Sequence, residues 1–271
     1  MRGMRFPNVL ATILLATLGC GGSSAARGKP APLASYDVVL LVGQSNMAGR
    51  GPIAPEDRIP APHVFMLDRA GTWVPAVEPM HFDKPIAGVG PGRTFGIELT
   101  RLTGHDVGLV PAAVGGSSIT SWVPAGYDSA TRTHPYDDAL RRVRVAMQRG
   151  PLVAILWHQG ESDANARLAP AYSQRMHALI ARFRSDLSAP DVPVLIGQLG
   201  QFRRWTAYDS TVDAAHREAA RTMPHVAFVS SDDLAHKGDS LHFDAASARE
   251  LGRRYAAAYA AIAGGGVPTG R

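Results

Sequence analysis

The feature that most constrains this chain is a recurring apolar run. Val38 to Val42 is continuously aliphatic and closed by Gly43, and runs of the same character return at Val107 to Val114, Leu152 to Trp157 and Val192 to Leu199. A shorter one spans Val226 to Ser230. Runs without polar alternation predict strands buried on both faces of a parallel sheet. Segments of helical spacing separate them, over roughly 94–102, 137–148, 169–187, 209–221 and 245–262. Strand–helix alternation predicts an α/β fold, a three-layer α/β/α sandwich around a mostly parallel five-stranded sheet of flavodoxin-like type. Only the stretch from Pro52 to Pro91, with eight prolines and no clean period, breaks the rhythm, and it reads as a long surface excursion.

In such sheets the chemistry gathers at the carboxyl ends of the strands. After the first run comes Gly43-Gln44-Ser45-Asn46-Met47, a turn into a predicted helix start. A serine here can face substrate while helix N-terminal N–H groups point at developing negative charge, although a lone serine in this position is most often an N-cap. After the second run, Gly115-Gly116-Ser117-Ser118 lets the backbone approach a ligand closely. After the third, His158-Gln159-Gly160-Glu161-Ser162-Asp163 packs an amide, an imidazole and two carboxylates onto one strand end. Before the last helix, Asp239-Ser240-Leu241-His242 sets a carboxylate three residues from an imidazole, so that the acid can fix the ring tautomer while the other nitrogen takes a serine proton. Each block is weak alone, but together they supply nucleophile, backbone donor, side-chain donor and acid–base pair. Met47 stands at the second glycine position of a Gly-x-Ser-x-Gly elbow, which disfavours the α/β-hydrolase fold. No metal-ligand spacing or phosphate loop is visible, so no metal or other cofactor is expected.

Taken in order, these four blocks resemble those of the SGNH hydrolases, in particular the sialate O-acetylesterase-like group that includes carbohydrate esterase family 6 acetylxylan esterases. The resemblance runs from about Tyr36 to the last helix. It implies Ser45 as nucleophile, His242 as base, Asp239 as its orienting acid, and an oxyanion hole from the Ser45 N–H, the N–H of Gly115 or Gly116, and the Gln159 side chain. Glu161 competes with Asp239 as the histidine's partner. The implied activity is removal of acetyl groups from carbohydrate through an acetyl-serine.

The first 20 residues have the layout of a secretory signal, with Arg2 and Arg5 before a short apolar run. Cys20, the only cysteine, follows Leu18-Gly19 as in a bacterial lipobox, although Thr17 departs from that pattern. The expectation is export to the periplasm or cell surface, with lipidation of Cys20 as a possible membrane attachment, residues 21–33 as a flexible tether and residues 34–265 as the esterase domain. Setting Arg2 and Arg5 aside leaves 26 basic against 23 acidic residues, a net of +3 that is too small to argue for a nucleic-acid partner. Arg141, Arg142 and Arg144 read as a solvated helix face. Two other readings stay open: an acyl hydrolase for lipids or thioesters, which requires a long apolar groove beside Ser45, and a non-catalytic carbohydrate-binding protein. Trp122, Tyr127, Trp205 and Tyr208, in loops near the expected site edge, favour sugar rings. Oligomeric state leaves no trace in the sequence.

Overall fold

The computed structural model describes residues 35–202 and 205–263, with Met1 and Gly3. The described residues from 35 onward belong to one compact unit. Cys20, the tether and nearly all of the signal segment lie outside the described residues.

Strand β1 (Asp37–Gly43) is buried along six of its seven residues. Its side chains alternate between two cores: Val38, Leu40 and Val42 face one, Val39 and Leu41 the other. This period-2 division of a fully apolar run identifies a central strand covered by helices on both faces. The sheet continues through β2 (Val64–Leu67), β3 (Trp73–Pro75), β4 (Val107–Pro111), β5 (Leu152–His158), β6 (Val194–Gly197) and β7 (Val226–Val229), in the spatial order β3-β2-β4-β1-β5-β6-β7. Every pairing is parallel except β2 with β3. Helices α2 (Gly92–Thr103) and α6 (Ala245–Ala263) contribute to one core, and α3 (Pro135–Ala146), α4 (Tyr172–Asp186) and α5 (Ala207–Thr222) to the other. The short α1 (Ser45–Ala48) follows β1 directly.

The three-layer α/β/α class is as expected, but the sheet has seven strands rather than five. Both additions come from the Pro52–Pro91 excursion, whose Val64–Leu67 pairs in parallel with β4 before Trp73–Pro75 turns back as the antiparallel edge. Val64–Leu67 and Trp73–Pro75 lie among the prolines of the excursion rather than between segments of helical spacing, so neither stands out as a strand, and an edge strand tolerates Pro75 because one side of it needs no ladder partner. Nor is the excursion merely superficial. Arg249 on α6 holds Asp57 through both carboxylate oxygens at 2.6 and 2.7 Å, and Asp57 is buried. The Arg141–Arg144 face needs the same correction. Arg142 is buried and donates to the carbonyls of Leu67, Asp68 and Pro111, tying α3 to the ends of β2 and β4.

Strand β1 lies between β4 and β5, and the chain builds outward from it first on one side and then on the other. The crevice at the carboxyl ends of these three strands is the switch point at which open α/β sheets bind ligands.

Candidate active site

Three of the four sequence blocks meet at that crevice, and the fourth arrives from the loop between β7 and α6. Ser45 Oγ lies 3.0 Å from His242 Nε2, and the other ring nitrogen, Nδ1, lies 2.7 Å from Asp239 Oδ2. Asp239 Oδ1 accepts the backbone N–H groups of His242 and Leu241 at 2.8 and 3.0 Å. Desolvation works to raise the pKa of this carboxyl, but the hydrogen bonds from the His242 N–H, the His242 ring and the Leu241 N–H outweigh it and hold Asp239 well below the usual carboxylate range. It therefore stays ionised, and its acceptance of Nδ1–H leaves Nε2 free to take the serine proton.

Glu161 does not reach the histidine. Its Oε1 accepts from Asn46 Nδ2 at 2.7 Å. Asn46 also donates to the Leu241 carbonyl at 3.1 Å and accepts from the Phe243 N–H at 3.2 Å, gripping the chain on both sides of His242. The competition between Asp239 and Glu161 thus resolves geometrically into two tasks: one carboxylate orients the ring, the other orients the asparagine that brackets it.

The donors are arranged differently from expectation. Gly115 donates its N–H to Asp83 Oδ2 at 2.8 Å, and a Cβ there would meet the Arg50 guanidinium and Asp83 at 2.3 and 2.5 Å. Its amide is already engaged by the buried Arg50–Asp83 ion pair. Gly116 has φ +86, and among the described residues nothing accepts its N–H. The Ser45 N–H is free in the same sense. Gln159 is corrected outright: it is fully buried, donates its amide to the Ser117 carbonyl and to Asp163 Oδ2, and accepts from Tyr172 Oη at 2.8 Å. With both amide hydrogens engaged it cannot donate to a reacting oxygen. Gln159 and Asp163 instead support the glycine loop, since Asp163 also accepts from Ser118 Oγ and the Ile119 N–H at 2.7 and 3.0 Å.

The residue missed by sequence reasoning is Gln44. Its Oε1 accepts the N–H groups of Gly160 and Ser162 at 3.3 and 3.4 Å, which fixes the amide plane. Its Nε2 has no acceptor among the described residues, and Gln44 lines the same cavity as Ser45, Gly116 and His242. This cavity, of about 270 Å³, is also bounded by Arg50, Lys84, Ile86, Glu161, Ser162 and Leu241. The four expected sugar-facing aromatics do not line it. Trp122 is fully buried against Trp157, and Trp205 donates to the Gly200 carbonyl. Ile86 and Leu241, 65% and 43% exposed, form the apolar parts of the rim and are the only aliphatic side chains lining this cavity among the described residues. Among the described residues no group of three or more His, Cys, Asp or Glu side chains is placed to hold a metal ion.

Residues 35–261 match the family described as carbohydrate esterase, sialic acid-specific acetylesterase. A probable carbohydrate esterase of Arabidopsis thaliana is 30% identical over 250 residues, covering 84% of this chain and 92% of the plant protein. The crystal structure of an Arabidopsis protein superposes with a TM-score of 0.74 at 29% identity, covering 85% of this chain and 99% of its own. Two more distant structures share the fold. They are a carbohydrate acetylesterase from Xanthomonas citri (TM-score 0.67, 21% identity, 86% of this chain and 57% of that one) and NanS (TM-score 0.67, 18% identity, 84% and 97%).

Proposed function

Because the chain belongs to the carbohydrate esterase family of sialic acid-specific acetylesterases, we propose that it hydrolyses O-acetyl esters of carbohydrate through an acetyl-enzyme on Ser45. The observation that carries this reading is the unbroken relay from Ser45 Oγ through His242 to Asp239, set beside three N–H donors with no other acceptor among the described residues. His242 Nε2 takes the serine proton as Oγ attacks the acetyl carbonyl, and the charge that develops on the carbonyl oxygen is met by the N–H groups of Ser45 and Gly116 and by Gln44 Nε2. Collapse expels the sugar alkoxide, which takes the proton from His242. Water then enters, His242 again acts as base, and acetate leaves. No step calls for a cofactor. The cavity is small and has only Ile86 and Leu241 as aliphatic side chains in its wall, which suits a short acyl group on a hydroxylated carrier rather than a fatty chain. The N-terminal 20 residues fit an export signal, consistent with a substrate outside the cytoplasm, and Cys20 is a candidate lipid anchor.

The test is acetate release from acetylated xylan, pectin and sialosides, alongside 4-nitrophenyl esters of increasing chain length, with Ser45→Ala as control. Serine-dependent release restricted to acetyl groups is expected. Preference for long acyl chains would replace this reading with that of a lipid or thioester hydrolase, and activity retained in Ser45→Ala would remove Ser45 from the mechanism.

A further inference from the structure

A second cavity, of about 280 Å³, lies beside the catalytic one. Two segments pass from one to the other. His81, Phe82 and Asp83 wall the second cavity while Lys84 walls the first, and Ala113 and Val114 wall the second while Gly115 and Gly116 wall the first. The partition between them is the hydrogen bond from the Gly115 N–H to Asp83. Lys84 follows Asp83 and Gly115 follows Val114 in the chain, so the two cavities share these two segments as a common wall.

We propose that this second cavity is a subsite for the neighbouring sugar ring of an acetylated oligosaccharide whose acetyl group sits at Ser45; this rests on the carbohydrate esterase reading above. Its polar wall mixes signs. Arg69, Arg141 and Arg142 carry donors and Asp83 and Asp138 acceptors; Arg141 Nη2 already donates to Asp138 Oδ1 at 3.0 Å, and the remaining hydrogens and lone pairs of that exposed pair meet the pattern of vicinal hydroxyls that both donate and accept. His81 Nε2 and Asp83 Oδ1 are buried without a hydrogen-bond partner among the described residues, a state that buried polar atoms rarely occupy and that a ligand hydroxyl relieves. Burial also lowers the His81 pKa to about 4, so the ring is neutral and able either to donate to or to accept from a hydroxyl. Phe82 does not serve as a stacking platform, because the guanidinium groups of Arg69 and Arg142 lie over its ring at 5.0 and 4.6 Å. Recognition here proceeds through hydrogen bonds.

The experiment compares kcat/KM for acetylated mono-, di- and trisaccharides of xylose, galacturonic acid and sialyl-lactose type in the wild type, the double variant Arg69→Ala/Arg141→Ala, and Asp138→Ala. Hydrolysis of 4-nitrophenyl acetate monitors the catalytic pocket. The wild type gains about tenfold from one ring to two on its preferred glycan, the sum of one or two net hydrogen bonds. Both variants lose most of that gain and keep wild-type rates on 4-nitrophenyl acetate. A wild type indifferent to length, or variants that retain the gain, would overturn the subsite while leaving the esterase reading intact. Serine-dependent hydrolysis of 4-nitrophenyl acetate with no hydrolysis of any acetylated saccharide would overturn both.

Discussion

At the scale of single residues, the chemistry depends on which amide hydrogens are free. Gln44 and Gln159 flank the same crevice, yet only Gln44 has an amide nitrogen to spare. Gln44→Ala is expected to lower kcat by 10²- to 10³-fold with little change in KM, the cost of about 3–4 kcal/mol associated with one oxyanion donor. Steady-state kinetics on 4-nitrophenyl acetate check this, and a variant with unchanged kcat would exclude Gln44 from the hole. Asp239→Asn removes the acceptor that fixes the His242 tautomer, and kcat is expected to fall by roughly 10³- to 10⁴-fold without unfolding, measured by the same assay together with a thermal melt. The meeting of Ser45, His242 and Asp239 was legible in the sequence because each stands at an element end beside polar company, in blocks whose order resembles that of a known family. Gln44 was not, because its value lies in an amide orientation set by the N–H groups of Gly160 and Ser162, more than a hundred residues away. Gln159 misled for the complementary reason: a strand-end position says nothing of the Ser117 carbonyl and Asp163 carboxylate that occupy it.

At the scale of elements, the site is a meeting of loops, each braced by another. Asn46, on α1, holds the loop between β7 and α6 by the backbone on either side of His242, and Glu161, following β5, holds Asn46. Asn46→Ala should therefore reduce kcat by about tenfold or more through imprecise placement of the base, while Asn46→Asp keeps the acceptor for the Phe243 N–H but sets a carboxylate against Glu161. Its kinetic signature is a loss in kcat for every ester tested, irrespective of the alcohol, and a loss confined to KM would contradict the bracing role. The excursion between Pro52 and Pro91 acts in the same way, since the Arg50–Asp83 pair fixes the loop that presents Gly116. Apolar runs set between segments of helical spacing are legible, and all five of them, the shorter Val226 to Ser230 included, hold strands. β2, as long as β6 and β7, and the three-residue β3 are hidden among the prolines of the excursion, and the contacts of Asp57 and Asp83 with α6 and the glycine loop join residues whose proximity no local pattern encodes.

At the scale of the whole molecule, buried titratable groups outside the relay set how stability responds to pH. Desolvation raises the pKa of the fully buried Glu78 to about 7 from an ordinary 4.5, against the opposing hydrogen bonds from the Met80 and Gly90 N–H groups. Its folded form holds a proton that the unfolded chain releases, so its contribution is fully present below pH 4.5 and is lost as pH rises through 7, by about 3 kcal/mol in all. His81 and His216, lowered by burial to about 4 and about 3, act in the opposite direction, their contribution being lost as pH falls below 6.5. Urea unfolding at pH 5.5 and 8.5 should show that Glu78→Gln shifts the difference in stability between the two pH values by about 2 kcal/mol in favour of the alkaline one relative to the wild type, whose Glu78 loss is offset by the two histidines; equal differences would show that Glu78 is ionised throughout. The catalytic account itself is tested most directly by rapid quenching of the enzyme during hydrolysis of 4-nitrophenyl acetate, followed by mass spectrometry of the peptide containing Ser45. The account predicts a transient gain of one acetyl group on Ser45, absent in Ser45→Ala, and turnover that never labels Ser45 would contradict it.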